Sequence, residues 1–322
     1  MNALPLLVTY DDIYLQWMLG AGDGSHPTNP VRAKLATEKL VASLGSAVSV
    51  VHPQLPEQRE ADLASLLSLL DAEYVERTLA GFNGQWSGEK PAVAEAGFAM
   101  FGGTIRAVEA ILAGTAKVAF NPQGAKHHAQ KGFGSGFCVF NDMAYAALAL
   151  KAAGMRPLYI DWDIHAGDGV YEMLGGEGVP TISIHNAFGY PGHRAMQNGV
   201  RGELHHPAEL AYNFNVLPGD GDDVFKEAID ASALIIDAYK PDVILLAAGA
   251  DGHTGAGNLG EIANYTLEGF KYAAEMIAEQ ANRHAQGRVI IGGAGGYQPL
   301  KETPETWALV VETIYNETQK GN

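Results

Sequence analysis

Cysteine is almost missing from this chain: Cys138 is the single one in 322 residues. That excludes a disulfide framework and a zinc finger built from cysteine ligands. Basic residues are scarce as well. Lys and Arg total 21 against 37 Asp and Glu, a formal charge of −16. Such a balance argues against gripping nucleic acid through the net field, and it suits cationic partners such as polyamines or lysine-rich peptides. Buried-looking apolar runs such as Val243 to Ala250 are far below membrane-spanning length. The opening MNALPLLVTYDD has no basic stretch and too short an apolar run for a signal peptide. Internal repeats, low-complexity tracts and domain-separating linkers are also lacking. These absences predict a soluble cytoplasmic protein, one domain over residues 1–322, with neither nucleic acid nor membrane as partner.

What the chain does have is a globular composition, 47% hydrophobic and 18% charged, and a regular alternation of two kinds of segment. Residues 4–10, 47–52, 117–122, 157–163, 181–185, 242–249 and 288–295 are short and mostly rich in Val, Ile and Leu, with little polar alternation. That is the pattern of strands buried on both faces of a parallel sheet. Between them, residues 30–44, 94–113, 141–153, 222–239, 263–282 and 304–319 read as helices. Pro30 suits a first turn, and Asn141 or Asp142 suits a cap. The alternation predicts a doubly wound α/β sheet. The longest irregular stretch expected is 186–215.

Open α/β sheets bind ligands beyond the carboxyl ends of their strands. At those ends this chain collects its polar and glycine-rich residues. Asp163 and His165 stand two apart, so strand periodicity sends them the same way. With Asp251 from another strand end they make three oxygen and nitrogen ligands, the layout of a catalytic zinc site, for which Fe(II) and Co(II) are also suitable. His127 and His128 precede a loop containing Gly132, Gly134 and Gly136, and two imidazoles beside a metal can serve as general base and general acid. Asp161 and Asp168 are placed to back them. Tyr297 ends a run of small residues after a strand and can donate to an oxyanion. Taken singly, each motif has an ordinary structural explanation; their gathering at one sheet edge argues for a site. The pair His205 and His206 follows no expected strand and is assigned no role.

In order along the chain, HHAQKGFGSGFCVFND, DWDIHAGDG, SIHNAFGYPG, GADGH and GGAGGY resemble the zinc-dependent histone deacetylase family of the arginase–deacetylase superfamily. GAKHHA looks closer in wording to its bacterial acetoin-utilisation-type members than to the Pro-Pro-Gly-His-His wording of its eukaryotic ones, and HPTNPVR (His26 to Arg32) resembles the family's N-terminal loop motif. The resemblance runs from about residue 10 to 315. It implies a single α/β domain with a central eight-stranded parallel sheet flanked by helices, and removal of an acetyl group from an alkylamine such as acetyl-lysine. It implies one zinc ion on Asp163, His165 and Asp251, with His127 and His128 as the acid/base pair, backed by Asp161 and Asp168. Tyr297 would polarise the acyl carbonyl and the Gly136 carbonyl would meet the substrate amide. Phe137 and Tyr190 would line the acyl-lysine tunnel, Cys138 would lie near its floor, and Arg32 would line an internal channel linked to acetate release. A structural K⁺ would sit among the carbonyls of Asp161, Asp163, His165 and Ile184 and the Ser183 hydroxyl. Which of His127 and His128 is base and which acid stays open.

The rival arginase-type reaction needs a second metal, with carboxylates at the positions of Gly167 and His253; neither residue supplies one. A binding module without catalysis is the alternative from another class, and the full set of ligands, histidines and tyrosine argues against it. The departures from the family pattern bear on substrate. Ala166 and Ala294 replace usual residues, and ADGHTGAGNLG lacks an arginine and paired aspartates. Gly81 to Val93 offers Trp86 and Glu89 where a rim aspartate would hold a peptide. An acetylated polyamine or other small amine is therefore an alternative substrate. Trp86 either caps the tunnel mouth or anchors its loop, and Glu89 either meets a cationic amine or is a surface charge. In a homo-oligomer, loops 11–29 and the one after Ser183 are where an interface would shape the entrance.

Overall fold

The computed structural model describes residues 4–20, 26–257 and 263–320. Parts of two stretches discussed above, residues 21–25 of the N-terminal loop and 258–260 of ADGHTGAGNLG, lie outside the described residues. Among the described residues, nine strands form one sheet: β1 (Leu6–Thr9), β2 (Val48–Val51), β3 (Val118–Asn121), β4 (Pro157–Asp161), β5 (Thr181–Asn186), β6 (Gly202–His206), β7 (Ala211–Val216), β8 (Val243–Ala247) and β9 (Val289–Gly292). The helices are α1 (Val31–Leu44), α2 (Arg59–Leu67), α3 (Ala72–Leu79), α4 (Pro91–Ala113), α5 (Asp142–Ala152), α6 (Asp168–Leu174), α7 (Asp222–Tyr239), α8 (Leu267–His284) and α9 (Glu302–Lys320).

The strands lack polar alternation because each face has its own core. Leu158 and Ile160 of β4 pack with Ile244 and Leu246 of β8 against α7, α8 and α9. Tyr159 and Leu245, one residue out of phase, pack on the opposite side with α4 and α5. Local signals set the helix ends. Asn141 caps α5 by accepting from the Ala144 N–H, and Pro91 opens α4. Helix α8 starts later than the expected residue 263, because Asn264 and Tyr265 first make bridges to Gly221 and His253, and Thr266 then caps the helix. Helix α4 is long and apolar enough to cross a membrane by length and composition, yet it is mostly buried within the protein and serves as a core helix.

The strand order is β2-β1-β3-β9-β8-β4-β5-β7-β6. Eight strands run parallel, as expected, but a ninth, β6, joins the edge antiparallel to β7. Both β6 and most of β7 fall in the stretch expected to be irregular. In β7 two asparagines occupy positions a buried strand usually gives to apolar residues, so the sequence shows no apolar run. Their side-chain amides donate to the Leu204 and Met196 carbonyls, which makes that burial tolerable. The topology sets up the site. β3, β9, β8 and β4 are consecutive neighbours, so the segments leaving their carboxyl ends emerge side by side.

Candidate active site

Beyond β4 the extended chain continues the strand alternation. Trp162 and Ile164 enter the core, which turns Asp161, Asp163 and His165 the other way. Asp251 arrives from the segment after β8. The ligand atoms of Asp163, His165 and Asp251 all lie within 4.8 Å of one another, and all three residues are buried. His165 Nδ1 is 3.0 Å from Asp163 Oδ1 and 3.0 Å from Asp251 Oδ2. Backbone groups hold the carboxylates: the Gly295 N–H donates to Asp163 Oδ2 at 2.6 Å, and the Ile164 N–H to Asp251 Oδ1 at 3.1 Å. Position 295 admits only glycine, because a Cβ there would stand 2.3 Å from Asp251 Oδ2.

The charges explain what this cage is for. Two carboxylates are buried together, and burial with the charge of Asp163 raises the pKa of Asp251. Burial opposes a charge on His165, but the same two carboxylates hold its imidazole well above the ordinary range. The cage thus demands positive charge, and its two carboxylates and one imidazole fit a divalent ion of borderline softness. Gly167 has no room for a second-metal ligand: any Cβ would sit 2.6 Å from Asp161 Oδ2. His253 supplies no carboxylate either, and its ring nitrogen accepts from the Gly255 N–H.

After β3 a turn is pinned by Asp142, whose carboxylate accepts from the Ala125 and Lys126 N–H groups and from Thr104. The turn delivers two histidines with ring centroids 4.0 Å apart. His127 Nδ1 is 2.7 Å from Asp161 Oδ2, and His128 Nδ1 is 2.7 Å from Asp168 Oδ1. Burial disfavours charge on His127, but Asp161 and Asp163 outweigh it and raise its pKa to about 9. Burial and the neighbouring His127 charge push His128 down to about 4.

A cleft of about 310 Å³ opens above these groups, lined by Gln85, His128, Gly136, Phe137, His165, Tyr190 and Tyr297. Burial, with Asp251 and Asp163 close by, keeps the Tyr297 phenol protonated and so a donor. Gly136 has φ +53°, and a Cβ there would come within 2.4 Å of the His128 ring. The Tyr190 ring stands edge-on to His128 at 4.8 Å, and His26 of the N-terminal loop packs edge-on to Phe137 at 4.8 Å.

Gln85 is the residue that sequence reasoning missed. It lies in the stretch from which Trp86 and Glu89 were singled out, and nothing in its type or spacing marks it. Its Nε2 donates to the Gly134 carbonyl at 2.9 Å and its Oε1 accepts from the Phe137 N–H at 2.8 Å, so it clamps the glycine loop. Trp86 is buried against Trp17 and donates to the Gly81 carbonyl, an anchor for its loop rather than a cap on the cleft. Glu89 is exposed.

Deeper than the cleft lies a narrow cavity whose walls include Arg32, Cys138, Ala294 and Gly295. Ala294 has φ +56°, a left-handed conformation that favours glycine. Cys138 is buried, which pushes its thiol up to about 12 and leaves it a poor nucleophile. Ser183 and Ile184 are buried in β5, and Ser183 pairs in register with Asp161 of β4. Ala166 packs in a small cluster with Tyr171, Met196 and Ala211. His205 and His206 lie on β6, bonded to Glu203 and to the Ala195 carbonyl.

Residues 26–314 match the family model described as histone deacetylase domain. The chain is 29% identical to the acetoin utilization protein AcuC of Staphylococcus aureus (strain MRSA252), over 96% of this chain and 81% of that protein. It is 34% identical to AcuC of Bacillus subtilis (strain 168), over 67% of this chain and 56% of that protein. It is 26% identical to AcuC of Staphylococcus xylosus, over 91% of this chain and 78% of that protein.

Proposed function

The chain belongs to the histone deacetylase family, and from that membership we propose that it hydrolyses the amide of an acetylated alkylamine such as the side chain of acetyl-lysine. One observation carries the reading: a buried Asp-His-Asp cage, two carboxylate-backed histidines and a protonated phenol meet at the floor of one aromatic-walled cleft. Asp163, His165 and Asp251 would hold a single zinc ion. When bound, that ion supplies Lewis acidity, polarising the acyl carbonyl and acidifying the attacking water.

The chain's own residues do the rest. His128 lines the cleft and has Nδ1 tied to Asp168, so its Nε2 takes the water's proton. It returns that proton to the amine nitrogen as the C–N bond breaks. His127 lies on the inner side, its charge fixed by Asp161, and offsets negative charge developing beside it. The Tyr297 hydroxyl donates to the oxyanion, an interaction worth about 2.7–4 kcal/mol in comparable sites. Phe137 and Tyr190 flank the alkyl stem, and the Gly136 carbonyl accepts the substrate N–H. The pairing of Asp161 with Ser183 supports a structural K⁺ among the carbonyls of Asp161, Asp163, His165 and Ile184 and the Ser183 hydroxyl. Arg32 lines the inner exit for acetate. We assign the protein to the cytoplasm, where a chain with one buried thiol needs no oxidising compartment.

An acetylated polyamine is the second reading, favoured by the charge of −16. Against it, no carboxylate lines the cleft among the described residues to meet a second ammonium. The test is a panel of acetyl-lysine peptide, free acetyl-lysine, acetylputrescine and acetylspermidine, assayed with zinc replete and after chelation. We expect chelator-sensitive turnover, fastest on acetyl-lysine. Tight, chelator-insensitive binding with no turnover would instead identify a module that recognises acyl-lysine.

A further inference from the structure

Phe137 and Tyr190 line the cleft from two different loops, and each loop is pinned at its base. On one side, the Ser135 and Cys138 backbones exchange hydrogen bonds of 3.0 and 2.8 Å across Gly136 and Phe137, both at positive φ. That is the pattern of a type I′ turn, and Gln85 clamps it through Gly134 and Phe137. On the other side, the buried Gln197 closes the loop that carries Tyr190. Its Oε1 accepts from the Gly192 and His193 N–H groups at 2.9 Å each, and its Nε2 donates to the Asn186 carbonyl at 2.8 Å. His193 adds a tie of 2.8 Å to Glu172 of α6, the helix whose first residue, Asp168, backs His128. The two loops also meet through side chains. The Ser135 and Tyr190 hydroxyls are 2.5 Å apart, one donating to the other.

Ser135 has no part in the chemistry above, yet its hydroxyl bears on the shape of the cleft. A Cβ on Gly136 would stand 2.8 Å from the Tyr190 hydroxyl oxygen, so the phenol lies close against the turn. The outer side of Tyr190 is open: the residue is 38% exposed, which leaves its ring room to swing away once the bond is lost. Burial pushes the phenol up to about 12, so the hydroxyl pair stays neutral through the physiological range and does not open with pH. We propose that Ser135 is a specificity-determining residue: its hydroxyl holds the Tyr190 ring so that the cleft passes a straight alkyl stem and disfavours one that carries a ring or a branch. That the stem ends in an acyl amide rests on the deacetylase reading; the limit on its width does not.

The experiment compares two peptides that differ only in the stem, one with acetyl-lysine and the other with 4-(acetamidomethyl)phenylalanine at the same position. Dissociation constants are measured by calorimetry on zinc-loaded and on metal-stripped protein, and kcat/KM wherever turnover occurs. Wild type should favour the acetyl-lysine peptide. Ser135→Ala and Tyr190→Phe should each reduce that preference about fivefold, the size expected for one neutral hydrogen bond. The double variant should lose no more than about the same fivefold, because both substitutions remove one shared bond. Ser135→Thr keeps a hydroxyl and should stay within about twofold of wild type. An unchanged preference in Ser135→Ala overturns the proposal, as do additive losses in the double variant or a wild type without preference. Binding with the expected shifts but no hydrolysis of either peptide would leave Ser135 in its role and refute the deacetylase reading alone. Hydrolysis of acetyl-lysine with a preference that neither variant moves would do the reverse.

Discussion

His127 and His128 are adjacent in the chain, and each has a carboxylate 2.7 Å from Nδ1, but they hold protons differently. Asp161, behind His127, is fully buried at the end of β4 and also accepts from the Tyr159 hydroxyl at 2.6 Å and the Asp163 N–H at 2.9 Å. His127 adds the field of Asp163 to that of Asp161 and is pulled up to about 9 despite its burial. Asp168, behind His128, is less buried and shares its carboxylate with the Gln130 amide. His128 feels its own burial and the charge next door, and falls to about 4. In the mechanism proposed above, these two like dyads serve as a cation on the inner side and a base on the cleft side. The teaching is that the motif His-His carries no assignment of roles; the second carboxylate near one ring does.

The comparison breaks most completely if its shared neighbour is removed. Asp163→Asn deletes a cage ligand and one of the two charges that raise His127. Bound zinc, measured by elemental analysis, should drop to background and turnover below detection, with the far-UV circular dichroism unchanged. Next come the histidines themselves. His128→Ala should lower kcat by roughly 10³-fold and His127→Ala by roughly 10²-fold, within the range for acid–base groups. The reverse ranking would exchange their roles. Tyr297→Phe should cost roughly 10²–10³ in kcat with KM nearly constant, the pattern of a donor used mainly in the transition state. A KM effect alone would make the phenol a substrate anchor.

How far these dyads were legible beforehand depends on where each residue sits. Asp163 and His165 could be read because a strand end has a fixed period, so spacing alone implies a shared side. His127 and His128 could be placed near them because both follow a strand of a parallel sheet. The unequal protons could not be read, since they depend on Asp163 standing 3.8 Å from His127 across two segments remote in sequence. Gln85 was hidden for a similar reason. An exposed-looking glutamine acquires a role only when the loop from Gly134 to Phe137 folds onto it. In β7, paired asparagines suppressed the apolar pattern that marks the other strands, while seven parallel strands and six of the helices followed from patterning and the count of eight parallel strands from the family resemblance.

Smaller effects sharpen the contrast between the two carboxylates. Asp168→Asn should slow turnover about tenfold, the lower end for a group that orients a base, and leave Tm near wild type. Asp161→Asn should slow turnover and also lower stability by about 1–3 kcal/mol, because the buried Tyr159 hydroxyl and Asp163 N–H share its oxygens. Equal Tm values for the two variants would contradict the difference in burial drawn here.

The smallest effect belongs to the loop on the His128 side. Gln85→Ala removes both hydrogen bonds that hold Gly134 and Phe137, where two successive residues, Gly136 and Phe137, have φ of +53° and +63°. Hydrogen bonds of this kind are worth about 1 kcal/mol each. The loop should therefore sample open positions and KM for acetyl-lysine peptide should rise about three- to tenfold, with kcat within about twofold. Gln85→Glu keeps an acceptor for the Phe137 N–H but places a second acceptor against the Gly134 carbonyl, so its KM should fall between wild type and Gln85→Ala. If instead kcat falls and KM holds, the loop positions His128 rather than the substrate stem. The cleft-side dyad would then owe its geometry to Gln85 as much as to Asp168.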